Sequence, residues 1–395
     1  MLTYGSGNNY DIGKTIGQQV SDYVRANVNI FLHEVLQTNH KLGWLQAKAR
    51  EEMSLLGGEC VEEIAGIADG SRVPFRDLLL YNLYGDYFIP DGCTVMMAVG
   101  DAGHQGNSML MKNSDQVGSE SMVGDGFNQN KEIYVIQIVD PEEGNRIIGL
   151  SAAGRTGIKV GVNNKGVAAG SNIARTVELR EKKVDISKVR ASDRTQLLRD
   201  GLQENSAVEA SNLVSKMILE NPTSTPGSME FVDSGVGIVI EGSYTHQAID
   251  VVRNDVTARA NRFQLLEHTN QPEDVSSVCR YQRCMQLLNE NAGELTLEKF
   301  REFSRDHVNG PGQNSICRHG NHYREETSLG AAVIEIHGTA PEESVISICL
   351  GKPCHAWRDS KGYATISFDQ IDTMSSGFGD GTVWNEFYSE EPRLP

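Results

Sequence analysis

Between residues 11 and 36, apolar side chains recur at Ile12, Ile16, Val20, Val24, Val28, Phe31, Leu32 and Val35, the spacing of one helical face. Residues 42–56 and 59–69 keep the same period, the second stretch through Val61, Ile64, Ala65 and Ala68. Val73-Pro74-Phe75 interrupts it, because proline has no N–H for a helix interior, and Asp77-Leu78-Leu79-Leu80 opens another short helix. The chain up to residue 90 therefore reads as mostly helical.

Beyond residue 93 the period falls to two. Strands are predicted over 94–99, 108–112, 132–139 and 146–150, and strands at 157–162 and 166–171 flank Asn163-Asn164-Lys165, a hairpin signal. Two amphipathic helices follow over 192–204 and 206–220, then a Pro/Ser/Thr loop over 221–228. Strands return at 237–240 and 248–252, helices at 276–290 and 296–306, and strands at 331–337, 344–350 and 363–368. Runs of strands separated by helix pairs predict an α+β fold of antiparallel sheets with helices on their outer faces. The pattern lacks the steady alternation of a doubly wound parallel sheet.

Composition narrows the function classes. With 395 residues, 39% of them hydrophobic, the chain can bury a large core. A formal charge of −17 disfavours nucleic acid and anionic membrane surfaces, both of which need a basic partner. No apolar run is long enough for a transmembrane helix, and the start lacks the basic and apolar regions of a secretory signal. Seven scattered cysteines do not look like a disulfide framework, so a reducing cytoplasm is expected.

The tetrapeptide Asp91-Gly92-Cys93-Thr94 lies where the helical period gives way to the strand period. Gly92 leaves its carbonyl sterically open to the Cys93 thiol. Attack there would move the acyl group from nitrogen to sulfur, and water would release it, leaving an N-terminal Cys93. An α-amine titrates near pH ~8 and a thiol near ~8.5, so one residue would then supply nucleophile and base. The alternative is that Cys93 is a small buried hydrophobe, the commonest state of a free cysteine.

Further segments carry a resemblance. Glu63-Ile64-Ala65-Gly66-Ile67-Ala68-Asp69-Gly70 with Val73-Pro74-Phe75, the Asp91–Thr94 tetrapeptide, Asn113-Ser114-Asp115, Gly161-Val162-Asn163-Asn164-Lys165-Gly166, and Ser315-Ile316-Cys317-Arg318-His319 after Asp306-His307 occur in order. Together they resemble the acyl-CoA:6-aminopenicillanic acid acyltransferase family of self-processing N-terminal-nucleophile cysteine hydrolases. The resemblance implies a four-layer αββα sandwich of two antiparallel sheets. It implies cleavage into a helical segment 1–92 and a catalytic chain 93–395, packed as one structural domain. It assigns Cys93 as nucleophile, Asp115 as the group orienting its amine or thiol, and Asn172 and Asn261 as oxyanion contacts. Arg318 becomes the cation facing the nucleophile. Lys112 stands where related choloylglycine hydrolases carry an Arg, and is left outside the core set. Thr269-Asn270 competes with Asn261, but Asn270 reads as a surface-loop residue. Arg280, Arg283 and Cys284 read as part of a helix packed on a sheet.

The implied substrate is a small acyl amide or acyl thioester, with no cofactor. Cys317-x-His319-x-x-His322 and the Cys279/Cys284 and Cys349/Cys354 pairs carry metal-ligand side chains, but the spacing in both pairs is loose for zinc, Cys317 lies inside the family-like motif, and no metal is expected. A homo-oligomer is compatible with the sequence. A dipeptidase-like enzyme of another N-terminal-nucleophile branch, or an unprocessed binding protein of the same fold, are the alternatives.

Overall fold

The computed structural model describes residues 1–89, 91–117, 132–180, 193–221, 225–320, 325–358 and 362–374. A strand, β1 (Leu2–Gly7), precedes helices α1 (Asn9–Gln19), α2 (Ser21–Leu36), α3 (Leu42–Glu51), α4 (Gly57–Ser71) and α5 (Phe75–Phe88). The apolar run predicted as one helix over 11–36 forms two, because Val20 lies at φ −124°, ψ 31°, outside the helical region, and closes α1 with its N–H on Ile16 O. α1 and α4 meet backbone to backbone. Gly13 faces α4 and Gly66 faces α1, and a Cβ on either would overlap the main chain of the facing helix. The apolar faces of these helices close over Val135, Val139 and Ala153 from the following sheet.

The strands that follow are β2 (Gly92–Ala98), β3 (Ser108–Val117), β4 (Tyr134–Pro141), β5 (Ile147–Ala152), β6 (Val160–Asn163) and β7 (Ala168–Ile173). After α6 (Val177–Arg180), α7 (Arg194–Gly201) and α8 (Ala207–Glu220) come β8 (Gly227–Val232), β9 (Gly237–Gly242), β10 (Gln247–Val252) and β11 (Val256–Arg259). The chain continues through α9 (Val275–Glu290), α10 (Leu297–Ser304), β12 (Glu326–Ile336), β13 (Val345–Leu350), α11 (Pro353–Arg358), β14 (Ala364–Ser367) and α12 (Phe368–Met374). Among the described residues these strands form an eight-stranded sheet, β1-β4-β5-β6-β7-β8-β9-β10, and a six-stranded sheet, β11-β2-β3-β12-β13-β14.

The layers follow from which side chains each face buries. Val95, Met97, Leu110, Ile136, Ile148, Val160 and Ala332 meet between the two sheets. Ala169, Phe231, Ile238 and Ile240 face outward onto α7 and α8 through Leu197, Leu198 and Val214. Met96, Met109, Met111 and Val333 face outward onto α9 and α10 through Cys284, Leu288 and Phe300. This is the expected αββα sandwich, with one correction to its antiparallel character: β1 runs parallel to β4.

β1, β8 and β11 fall where no strand was expected, and β8 begins inside the segment read as a loop. For β8 and β11 the reason is burial on both faces. β8 and β11 are short and buried at every position, so the polar face of each, Ser228 and Glu230 in one and Thr257 and Arg259 in the other, is turned into the protein rather than to solvent. No helix among the described residues is long and apolar enough to cross a membrane.

Candidate active site

Alternation along β2 sets the direction of the thiol. Val95 and Met97 lie between the sheets, while Met96 and Ala98 lie under α9 and α10. Cys93 therefore points between the sheets and Thr94 toward α9. Cys93 is 1% exposed, and burial pushes its thiol up to about 11, with Lys112 pulling the other way. The intact chain thus holds a protonated thiol shut away from solvent.

The backbone of Cys93 is gripped from both ends. Its N–H donates to Asn261 Oδ1 at 3.3 Å, and its carbonyl accepts from Arg280 Nη1 at 2.6 Å. Arg280 also donates to Thr94 Oγ1 and to Asn261 Oδ1, both at 2.8 Å. Asn261 Nδ2 in turn donates to Ile173 O at 2.9 Å, at the end of β7. Two donors converge on one amide oxygen while the amide nitrogen faces a carbonyl, so the orientation of Asn261 is determined. Asn261 thus sits at Cys93, as expected, but what it presents to the Cys93 nitrogen is an acceptor. Arg280 was missed by the sequence reading. The signal was present: Ser277, Arg280, Cys284 and Leu288 share the buried stripe of α9, and an Arg in such a stripe needs a buried partner.

Asp115 and Arg318 lie on the opposite face of the sheet from the thiol. In register, Gly92 pairs with Asp115, and Cys93 with Ser114. Asp115 accepts from Ser328 Oγ at 2.6 Å, and its other oxygen lies 3.5 Å from Arg318 Nη1. Burial pushes the Asp115 carboxyl up, and Arg318 opposes that. Arg318 is also paired with Glu326, whose carboxyl is pulled down to about 2 by Arg318 and Arg175 against the penalty of burial. This group presses on Gly92. A Cβ there would stand 2.7 Å from Arg318 Nη1 and 2.7 Å from Glu326 Oε1, so any side chain at this position must displace that buried pair.

The thiol's own face holds a different set. Along β3, Leu110 points between the sheets and Met111 points outward, so Lys112, Ser114 and Gln116 share the side of Cys93. Lys112 donates to Lys159 O at 3.0 Å. From the facing sheet, Ala168 and Val232 point inward, so Asn172 on β7, with Ser228 and Glu230 on β8, point inward with them. Gly170 confirms the facing, since a Cβ on it would lie 3.8 Å from Val95 Cγ2. Among the described residues, Ser114 Oγ, both side-chain polar atoms of Asn172 and Glu230 Oε2 are buried with no hydrogen-bond partner. A buried amide left unpaired costs roughly 1–3 kcal/mol, so these groups fit a polar ligand better than a dry core. Burial raises the Glu230 carboxyl to about 7.

The residue before Gly92 is also pinned. Asp91 is ion-paired with Lys159 and accepts from Gln116 Nε2 at 2.7 Å. Lys159 lies 3.5 Å from Glu132, which pairs with Arg155 at 2.7 Å. Asn270, expected on a surface loop, is instead 5% exposed and clamps Phe263 through both its N–H and carbonyl, at 2.9 and 2.8 Å. His322 lies outside the described residues. A second thiol, Cys60, borders a cavity of about 510 Å³ near Glu63, Thr156 and Arg199. It holds no counterpart of the double grip on the Cys93 backbone, and burial raises its thiol further.

The model of the acyl-coenzyme A:6-aminopenicillanic acid acyl-transferase family matches residues 105–354, which holds Lys112, Asp115, Asn172, Asn261, Arg280 and Arg318 and begins after Cys93. No curated protein matches the chain. Among solved structures it is similar to a Caenorhabditis elegans N-acylethanolamine-hydrolyzing acid amidase ortholog, at 14% identity over 61% of this chain and 92% of that one, TM-score 0.42. It is similar to penicillin V acylase from Agrobacterium tumefaciens at 12% identity, covering 65% and 83%, TM-score 0.37. It is also similar to a mutant conjugated bile acid hydrolase from Clostridium perfringens at 10% identity, covering 70% and 93%, TM-score 0.39.

Proposed function

The chain belongs to the acyl-coenzyme A:6-aminopenicillanic acid acyl-transferase family, and from that premise we propose that it is an acyl-transferring or amide-hydrolysing enzyme whose nucleophile, Cys93, is released by cleavage of its own chain. The observation that carries this reading is the setting of the Gly92–Cys93 bond. The thiol points to the inter-sheet side that also bears Ser114, Asn172 and Glu230, whose buried polar atoms lack hydrogen-bond partners among the described residues, the Cys93 N–H and carbonyl are both held, and Gly92 lies against Arg318 and Glu326.

In the first stage the thiol adds to the Gly92 carbonyl. A C–S bond forms, the C–N bond breaks, and the thiol proton passes to the departing nitrogen. Water then hydrolyses the thioester, giving a Gly92 carboxylate and a free Cys93 thiol beside its own α-amine. Residues 1–92 and 93–395 stay packed together, because α1–α5 bury one shared core with β4. In turnover the Cys93 α-amine takes the thiol proton and returns it to the leaving amine, with an acyl-Cys93 intermediate between. Asn261 Oδ1 orients that amine. The unpaired amide of Asn172 stabilises the oxyanion, and Lys112 favours the thiolate from its own face.

The substrate is a small acyl amide or acyl thioester, and the acceptor, water or an amine, decides between hydrolysis and transfer. Seven unpaired cysteines support a reducing compartment such as the cytoplasm. The test is the intact mass and N-terminal sequence of purified protein. Two species of about 10 and about 33 kDa, the larger beginning at Cys93, are expected from the chain lengths, with Cys93→Ala remaining a single chain. Cleavage of Cys93→Ala at the same bond, or a wild type that never cleaves and is inert to acyl amides, would overturn the reading. The second result would leave a binding protein.

A further inference from the structure

His307, Cys317, His319 and Cys354 come from three separate segments: the turn after α10, the stretch before β12, and the first turn of α11. Their ligand atoms all lie within 4.8 Å of one another. His319 Nε2 is 3.2 Å from Cys354 Sγ and 3.8 Å from Cys317 Sγ, and the His307 and His319 rings stand edge to face with centroids 4.8 Å apart. His307 Nε2 is buried and has no hydrogen-bond partner among the described residues. His355 also approaches His319, at 5.9 Å between ring centroids, but is exposed and does not belong to the converging set.

We propose that these four residues bind one zinc ion as a closed tetrahedral site that holds Arg318 in place. The chemistry of the donors selects the ion. Two thiolates and two neutral imidazoles suit zinc, with spokes of about 2.3 Å to sulfur and about 2.0 Å to nitrogen. Such a tetrahedron has edges of roughly 3.3–3.8 Å; the 3.2 and 3.8 Å separations from His319 already lie close to these, and the widest, within 4.8 Å, must close by about 1 Å. On binding, each thiol gives up its proton to solvent, and the two thiolates neutralise the dication. The partly buried site then carries no net charge, which removes much of the penalty for desolvating an ion. Four protein ligands leave no position for water or substrate, so the metal is structural.

The linear sequence obscured this set. The spacing of Cys317 and His319 alone gives two ligands; His307 precedes them across the turn after α10, and Cys354 lies 35 positions beyond His319. The position of Arg318 gives the site its consequence. Arg318 stands between two of the ligands, and its backbone N–H and C=O are already tied to Ser328. The metal would fix the same short segment from both flanks, and with it the guanidinium that faces Asp115 and Gly92. The site itself does not depend on the reading of Cys93 as nucleophile.

The test measures metal on the full chain, produced with zinc in the medium, desalted under reducing conditions and analysed by plasma mass spectrometry. About one zinc per chain is expected, falling below roughly 0.2 in Cys354→Ser and, separately, in His307→Ala. Cys354 lies on the half-exposed first turn of α11, outside the apolar cores between and outside the sheets, so its replacement by serine leaves those cores intact for the measurement. Cobalt added to metal-stripped wild type should give thiolate-to-cobalt charge-transfer absorption and the intense visible bands of a tetrahedral site, both lost in Cys354→Ser. A wild type with no stoichiometric metal and no such cobalt spectrum would overturn the proposal. So would full zinc content in Cys354→Ser, or a Cys317–Cys354 disulfide in protein isolated without oxidant.

Discussion

Asn261 accepts a hydrogen bond from the backbone N–H of Cys93 at 3.3 Å while Arg280, bound to the same oxygen at 2.8 Å, holds the Cys93 carbonyl. The nitrogen that cleavage would turn into an α-amine is therefore oriented before the bond is cut. Asn261→Ala is expected to remove that acceptor, slow processing, and lower kcat of the processed enzyme by roughly 10²–10³-fold with little change in KM. Asn270→Ala should behave differently. It removes the clamp on Phe263 and costs roughly 1–3 kcal/mol of stability, while processed protein turns over at the wild-type rate. Thermal melts beside steady-state kinetics separate the two. Wild-type kcat in Asn261→Ala would remove Asn261 from the site.

Gly92→Ala tests the wedge against Arg318 and Glu326. The added methyl would stand 2.7 Å from both side-chain tips, and making room displaces Arg318 from Asp115. Processing should slow by at least about tenfold, a barrier increase of roughly 1.4 kcal/mol. Time courses of chain cleavage on gels check it, and unchanged cleavage would mean the buried pair yields freely.

Lys112 shares the thiol's face, whereas Asp115 and Arg318 lie on the other. Lys112→Met should raise the thiol's apparent pKa by roughly one unit, the scale of one nearby charge. The acidic limb of the kcat/KM profile and the pH dependence of Cys93 alkylation should both move up by that amount, and Lys112→Arg should restore them. An unmoved profile in Lys112→Met would assign the electrostatic role elsewhere.

Glu230 gives a signed pH effect on stability. Burial raises its carboxyl to about 7, so the folded chain holds this proton more tightly than the unfolded chain does. Between the unfolded value and about 7 the native state binds more protons, and stability falls as pH rises through that window. The cost at pH 8 is on the order of 3–4 kcal/mol as an upper bound. Glu230→Gln should therefore melt higher than wild type at pH 8 and close to it at pH 4. Equal melting temperatures at pH 8 would show that the carboxylate is compensated in the folded protein.

The sequence alone determined the helical start, the change of period at Cys93, the layered α+β class and the identity of the residues around one peptide bond. These are local properties. A helix stripe, a Gly-Cys step or a Ser-Ile-Cys-Arg-His run is written in neighbouring residues. Tertiary structure alone decided what met what. β2, β7 and β8 are buried at every position, so alternation could not say which face of a strand bears the chemistry. Packing of the two sheets put Cys93 with Lys112 and Asn172, and put Asp115 with Arg318 behind it. Arg280 read as an ordinary helix residue until α9 docked it on the Cys93 carbonyl. The four ligands of the proposed zinc site stayed invisible for the same reason. Convergence of residues from separate segments is set by how helices, loops and strands pack together; for Cys93, Lys112, Asp115 and Asn172 it is set by strand register, and a one-residue shift there would turn those side chains to the opposite face.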